Sequence, residues 1–377
     1  MYLGSLNSEK KIVVVEGVAT ALAPIAHGEP PALNEERANG RPVRVVTVYV
    51  EGKMVEVPLV SSNHLTHIFR VLLARDALRR AGITDEELEN IKVNYSQLYQ
   101  TWFNGGVLEQ KKSNNSSDWD NGQEQENGDN LDANGDVEED EPAGTPAAGT
   151  KSKSKKKGKN GDKAAQKEKL RVVFPDVKEF ADLFLPVKLF GGTIAWLNNL
   201  TLESTVGVGH LWPLTQETST LFGLSQAKLK EKYQLNEALP SAVFLRQVEP
   251  MHFSRTDGTV EQAAKKDKDK DDKQDGRSLY NVSYVPAGIK FLHEIVIEAK
   301  DAALALSAMR YVTGKLLPEN PYVGGLVKRG FGKMEFKYRF PSTYAANGEE
   351  KDYEGLYESH LENCKGKIKE KIIALLS

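Results

Sequence analysis

Near the C-terminal end, four glycines alternate with three cations: Gly324, Gly325, Gly330 and Gly332 with Lys328, Arg329 and Lys333. Glycine lets a backbone take positive φ and come close to a ligand. Lysine and arginine supply charge against phosphate. The group suits contact with a nucleic-acid backbone. On residue types alone, it suits a glycine-rich hairpin turn with surface cations equally well. A second group holds His64 and His67, with Asn63 and Arg70 beside them. Asn63, His67 and Arg70 stand at i, i+4 and i+7, so a helix puts them on one face. The two histidines can act as general bases, touch RNA, or be ordinary polar helix residues. No Cys or Asp stands at ligand spacing from them, so no metal and no cofactor is expected. The acidic runs at Asp118-Trp119-Asp120 and from Asp132 to Glu141 superficially suggest calcium loops. The Gly and Glu offsets of an EF-hand do not fit them. Trp196, Trp212 and Phe222 read as core residues rather than base-stacking platforms.

The elements that must position these groups are set within 377 residues, of which 40% are hydrophobic and 27% charged. A net charge of -3 conceals two segments. Residues 116–141 carry eleven acids and no Lys or Arg, and residues 151–169 carry nine lysines. Without them the chain is nearly neutral, so bulk charge does not argue for nucleic acid and any basic surface must be local. The lysine run can bind nucleic acid, address the protein, or simply be solvated. One cysteine, Cys364, excludes a disulfide framework and fits a reducing cytoplasm. The apolar run Ile12 to Val15 is too short for a leader or a membrane span. The expectation is a cytoplasmic chain with no membrane partner.

Lys11 to Leu22 reads as a first strand. Pro24 to Arg41 is a loop. Val43 to Val50 and Lys53 to Val60 form a hairpin around Glu51-Gly52. Leu65, Ile68, Phe69 and Leu72 predict a helix capped near Ser61 to Asn63 and ended by Gly82. A second helix starts at Thr84, where Glu87 completes a capping box, and shows Leu88, Ile91, Tyr95, Leu98 and Trp102 on one face. Residues 110–169 have almost no hydrophobic spacing and read as a disordered, charge-segregated insertion. Beyond it, Ser225 to Leu239 predicts a helix, and Ala242 to Phe253 and Leu279 to Val285 predict strands. Ile289 to Ile297 predicts a further strand. Lys300 to Thr313 predicts a helix closed by Gly314, and Met334 to Phe340 a half-exposed strand. A last helix from about Tyr353 to Leu376 has Tyr357, Leu361, Cys364, Ile368, Ile372 and Leu375 along one face. The mixture lacks a βαβα rhythm. It favours an α+β fold with an antiparallel sheet, and a ferredoxin-like, RRM-like core carrying helical insertions fits it best.

Three stretches together resemble the RAMP superfamily of CRISPR-associated proteins, and within it the Cas-seven branch that coats guide RNA. The first is Val57-Pro58-Leu59-Val60-Ser61-Ser62-Asn63-His64-Leu65 running into Phe69-Arg70. A strand there ends in a proline turn and opens a helix whose N-terminal N–H groups suit phosphate. The family usually has a Gly in this turn, and here Ser62 or Asn63 stands in its place. The second is Leu189-Phe190-Gly191-Gly192. The third pairs Tyr284-Val285-Pro286-Ala287-Gly288-Ile289-Lys290-Phe291 with the glycine-rich stretch Gly324 to Lys333.

The resemblance implies a core in two parts, 12–109 and 170–345, split by the insertion at 110–169 and followed by a C-terminal helix at 346–377. It implies a thumb hairpin near 246–285 that carries Met251, His252, Phe253 and Arg255. It implies a non-catalytic subunit that oligomerises along a guide RNA (crRNA) with copies of itself and other CRISPR-associated subunits. The guide then recognises target nucleic acid by base pairing. Asn63, His67, Arg70, Gly324, Gly325, Lys328, Arg329, Gly330, Gly332 and Lys333 are the residues carried over as RNA-binding. Some relatives cut target RNA with an aspartate in the loop after the first strand. Here the first aspartate of the chain is Asp76, and the loop from Ala23 to Arg41 offers only Glu29, Glu35 and Glu36. Cleavage there is disfavoured, and no enzyme is expected. Two alternatives remain: an endoribonuclease of the same superfamily with His64 or His67 as base, and a structural protein without RNA affinity.

Overall fold

The computed structural model describes residues 12–28, 43–94, 96–104, 176–194, 200–246, 251–256, 277–282, 284–298, 302–346 and 349–376. The charged insertion at 110–169 and Trp196 lie outside the described residues.

Strand β1 (Ile12–Ala21) is valine-rich and alternates buried with exposed positions toward its end, as a half-buried strand should. Strands β2 (Val45–Val50) and β3 (Lys53–Pro58) close the expected hairpin through Glu51 and Gly52, both at positive φ. Helix α1 (Ser62–Arg80) follows, and Gly82 at φ 70° ends it. Helix α2 (Asp85–Asn94) carries the expected capping box: Thr84 N–H donates to Glu87 Oε2, and Glu87 N–H donates to Thr84 Oγ1. A short α3 (Ser96–Tyr99) and a wide turn at Gln100–Asn104 bring Trp102 inward. Helices α4 (Val177–Leu183) and α5 (Leu185–Phe190) lead to short strands β4 (Gly192–Ile194), β5 (Leu200–Leu202), β6 (Val206–Val208) and β7 (Trp212–Pro213). Helices α6 (Gln216–Leu221), α7 (Gln226–Tyr233) and α8 (Ser241–Arg246) come next. Strands β8 (Met251–Thr256) and β9 (Arg277–Val282) pair with each other from Met251↔Val282 to Thr256↔Arg277. Strand β10 (Lys290–Glu298), helix α9 (Ala302–Tyr311), strand β11 (Met334–Arg339), the small hairpin β12 (Tyr344–Ala346) and β13 (Glu349–Lys351), and helix α10 (Leu356–Leu376) complete the chain.

The chain is therefore α+β. The central sheet has the order β11-β1-β10-β6, antiparallel throughout, with β7 also on β10. Val15, Ala19, Phe291, Ile295 and Met334 point to one face, where Leu65, Phe69 and Leu73 of α1 and Leu306 and Met309 of α9 cover them. On the opposite face Val18 and Leu292 meet Leu214, Leu229 and Tyr233. Helix α1 is buried on two sides. Its Ala74 and Leu78 join Ile91, Trp102, Phe184 and Ile368 in a second core. Trp102 meets the edge of Phe184 at 4.2 Å between ring centres. Asp76 is buried as a lock between helices, accepting from Arg79, Arg80 and the Tyr357 hydroxyl at 2.7, 3.0 and 3.1 Å. The first aspartate of the chain is thus a fully engaged structural group. Among the described residues, no helix is long and apolar enough to cross a membrane.

Three expectations are corrected. Ala242 to Arg246 is helical, not strand. Ser241, fully buried, donates both its N–H and its hydroxyl to Glu217 Oε2, and this caps α8 from a distant element. Gly314 does not close its helix, because a wide turn at Val312–Leu316 runs on into a last turn at Leu317–Glu319. Val312, Leu316 and Leu317 are core residues, and burying them favours continuation. Phe222 is 37% exposed rather than core, and sits edge-on to the half-buried Trp212.

Candidate nucleic-acid interface

The glycine-rich loop is braced on the exit of β1. Leu22 and Ala23 N–H donate to Lys333 O, Gly332 N–H to Pro24 O, Gly325 N–H to Ala26 O, and Val323 N–H to Gly332 O, all between 2.7 and 3.1 Å. Phe331 is buried against Ala26, with Tyr284 edge-on at 6.0 Å. These contacts hold a single 3-10 turn, Val327–Arg329, away from the body. Lys328 and Arg329 on that turn, and Lys333 beyond it, are exposed.

The glycines divide into two kinds. Gly324 and Gly332 have φ 85° and 81°, and a Cβ on either would strike the carbonyl oxygen of Ala26 or Val323. Their close approach is to the protein's own backbone, not to a ligand, which corrects the expected role. Gly330, at φ 84°, has nothing near its missing Cβ, and Gly325 makes only an ordinary contact. These two stand on the outer side, next to the cations.

The first turn of α1 lies against the loop. His64 Nε2 accepts the Gly324 N–H at 2.7 Å. His27 Nε2 lies 3.2 Å from both the N–H and the hydroxyl of Ser61, and His210 Nδ1 accepts the Ser62 N–H at 2.9 Å. The rings of His27 and His64 are 5.1 Å apart. The N–H groups of Ser61 and Ser62 are therefore taken by imidazole, and the helix start does not offer them to phosphate. All of these imidazoles sit below their ordinary value. Burial pushes His27 down to about 4, with help from His64 and Arg44. Burial, then His67, brings His64 to about 4. His210 is lowered by burial and Arg44, and His67 by burial, Arg70 and Arg75. At about 4, the rings of His27 and His64 are neutral at pH 7, as an accepting nitrogen requires.

Asn63 and His67 are exposed, but Arg70 is not: it is 4% exposed. Its guanidinium donates to Phe190 O, Gly191 O and Thr101 O at 2.9, 3.0 and 3.4 Å, and stands 5.7 Å from the Phe190 ring centre. Burial lowers it to about 10. Arg70 is thus a clamp on the end of α5, where helix carbonyls lack partners. It leaves the expected RNA-binding set, because α5 and the 100–104 turn pack over α1 at that level. The Leu189-Phe190-Gly191-Gly192 stretch is the other half of this clamp.

The side chains of Met251, His252, Phe253 and Arg255 and the loop 257–276 lie outside the described residues. Their strands pair as a hairpin, as stated. His27 and His210 escaped the sequence reading, since each is a lone histidine in a loop without spacing to a partner. Among the described residues, no group of three His, Cys, Asp or Glu side chains is placed to hold a metal ion.

No protein-family model matches the chain, and no curated protein matches it. Among solved structures, a Type IV-B CRISPR complex is similar at 10% identity and a TM-score of 0.35, over 89% of this chain and 95% of that one. Csc2 of Thermofilum pendens is similar at 11% identity and a TM-score of 0.32, over 97% of this chain and 80% of that one. Both scores are too low to establish a shared fold.

Proposed function

We propose that this chain is a guide-RNA-binding backbone subunit of a CRISPR effector complex and acts without catalysis. The observation that carries the reading is the braced loop at 322–333, on which Lys328, Arg329 and Lys333 are exposed and whose Gly324 is bonded to His64 in the first turn of α1. Backbone contact of this kind positions a strand and carries no sequence information. Recognition of a target then belongs to the guide's bases. The sheet order β11-β1-β10-β6, with α1 and α9 on one face, supports a ferredoxin-like core. The β8–β9 hairpin supports a thumb that touches a neighbouring copy, and the other subunits of the complex are its further partners. The nuclease reading loses one of its two candidate bases, while His67 stays exposed. His64 Nε2 is occupied by the Gly324 N–H, and Asp76 is buried in ion pairs.

The test is binding of single-stranded RNA by purified protein across a salt series, with the double variant Lys328→Ala/Arg329→Ala alongside. The expected result is tight, length-dependent binding without cleavage. The double variant should lower the slope of log affinity against log salt by about 1.4. Equal, negligible binding by both proteins would sink the reading. Cleavage products would replace it with the nuclease.

A further inference from the structure

The loop that carries the cations is fixed on three sides. Two of them are backbone bonds to the exit of β1, from Gly325 to Ala26 at one end and from Gly332 and Lys333 to Pro24, Leu22 and Ala23 at the other. The third is a side chain, His64, whose Nε2 ties the loop to α1. The bond closes a span of 260 residues. It ends on Gly324, three residues before the 3-10 turn that bears Lys328 and Arg329. The histidine is itself held. It leads the first turn of α1, whose start is pinned by His27 on Ser61 and by His210 on Ser62. His27 packs its ring against His64. The titratable and charged groups facing this cluster are His67 on α1 and Arg44 at the foot of the first hairpin. Among the described residues, no carboxylate contributes to the shift of either ring. A cationic His64 cannot accept the Gly324 N–H, so the bond exists only with the ring unprotonated at Nε2.

We propose that His64 is a positioning residue for the glycine-rich loop: its Nε2 holds the Gly324 amide and thereby sets where Lys328 and Arg329 stand relative to Asn63 and His67. The inference rests on the phosphate-binding reading of the loop. It gives His64 a role that is neither base nor direct RNA contact. Losing one hydrogen bond of this kind weakens the ordered loop, and RNA affinity should fall about fivefold.

The experiment compares wild type, His64→Ala and His64→Gln in three measurements: affinity for single-stranded RNA, hydrogen exchange at the Gly324 amide, and thermal unfolding. Glutamine brings an amide oxygen that can accept the same N–H. The expected pattern is a several-fold loss of affinity and faster Gly324 exchange in His64→Ala, with both restored in His64→Gln and the folded state retained. Equal affinity in wild type and His64→Ala overturns the inference. So does an equal loss in both variants, which would mean the imidazole itself is needed. A wild type that binds no RNA overturns the functional reading and this inference with it. That failure is told apart by Gly324 exchange, which would still respond to His64→Ala.

Discussion

Two glycine turns in this molecule each meet basic side chains, and they end in opposite states. At Phe190-Gly191 the cation is Arg70, buried and bonded to three carbonyl oxygens. At Val327 to Gly330 the cations are Lys328 and Arg329, exposed on a 3-10 turn. The difference does not lie in residue type. A second element covers the first turn: α5 and the 100–104 segment close over α1. Nothing among the described residues closes over the second. An arginine that satisfies the end of a helix stabilises a fold, while cations on an exposed turn can meet a partner.

The contrast can be broken most directly at the inner turn. Arg70→Ala leaves three carbonyls without their donor and should cost about 4 kcal/mol of stability, read by chemical denaturation. A loss under about 1 kcal/mol would mean that the clamp is not what holds the turn. Within the outer loop the glycines should separate. Gly332→Ala meets the Val323 carbonyl at a positive φ and should cost about 3 kcal/mol. Gly330→Ala has open space and should cost only about 1 kcal/mol for its backbone conformation. Equal costs would remove the division into inner and outer glycines.

A smaller effect is expected from acid. His27 and His64 lie near 4 when folded, below an ordinary value of 6.5, so the unfolded chain takes up protons first as pH falls. Their contribution is whole above about pH 6.5 and drains away toward pH 4. Together the two rings should remove about 1 kcal/mol between pH 7 and 6. Stability that stays flat over that interval would contradict their buried, neutral state. The smallest change in stability belongs to Lys328→Ala/Arg329→Ala, within about 0.5 kcal/mol of wild type. Their effect should appear in RNA affinity instead, and that split is what the comparison between the two turns amounts to.

Much of the fold was legible because its signals are local. The valines of β1, the Glu51-Gly52 turn, the Thr84–Glu87 capping box and the apolar face of α10 each depend on residues a few positions apart. The cations of the glycine-rich loop were legible for the same reason, since glycine density and charge are read directly from the chain. What misled was also local. Ala242, Val243 and Phe244 look like strand residues until Glu217 caps Ser241. Arg70 shares a helix face with Asn63 and His67 until α5 packs over one end of it.

The sequence by itself determined the β2–β3 hairpin, the helices α1, α2, α7, α9 and α10 in outline, the α+β class and the place of the cationic loop, because backbone preference and hydrophobic period are properties of neighbouring residues. Only the tertiary structure decided which cation is swallowed, which glycines serve the protein's own backbone, and which histidine holds the loop. The first and the last depend on contacts across 121 and 260 residues. A residue's type states what it can bond. The element that folds over it decides whether water, a carbonyl or a partner takes that bond.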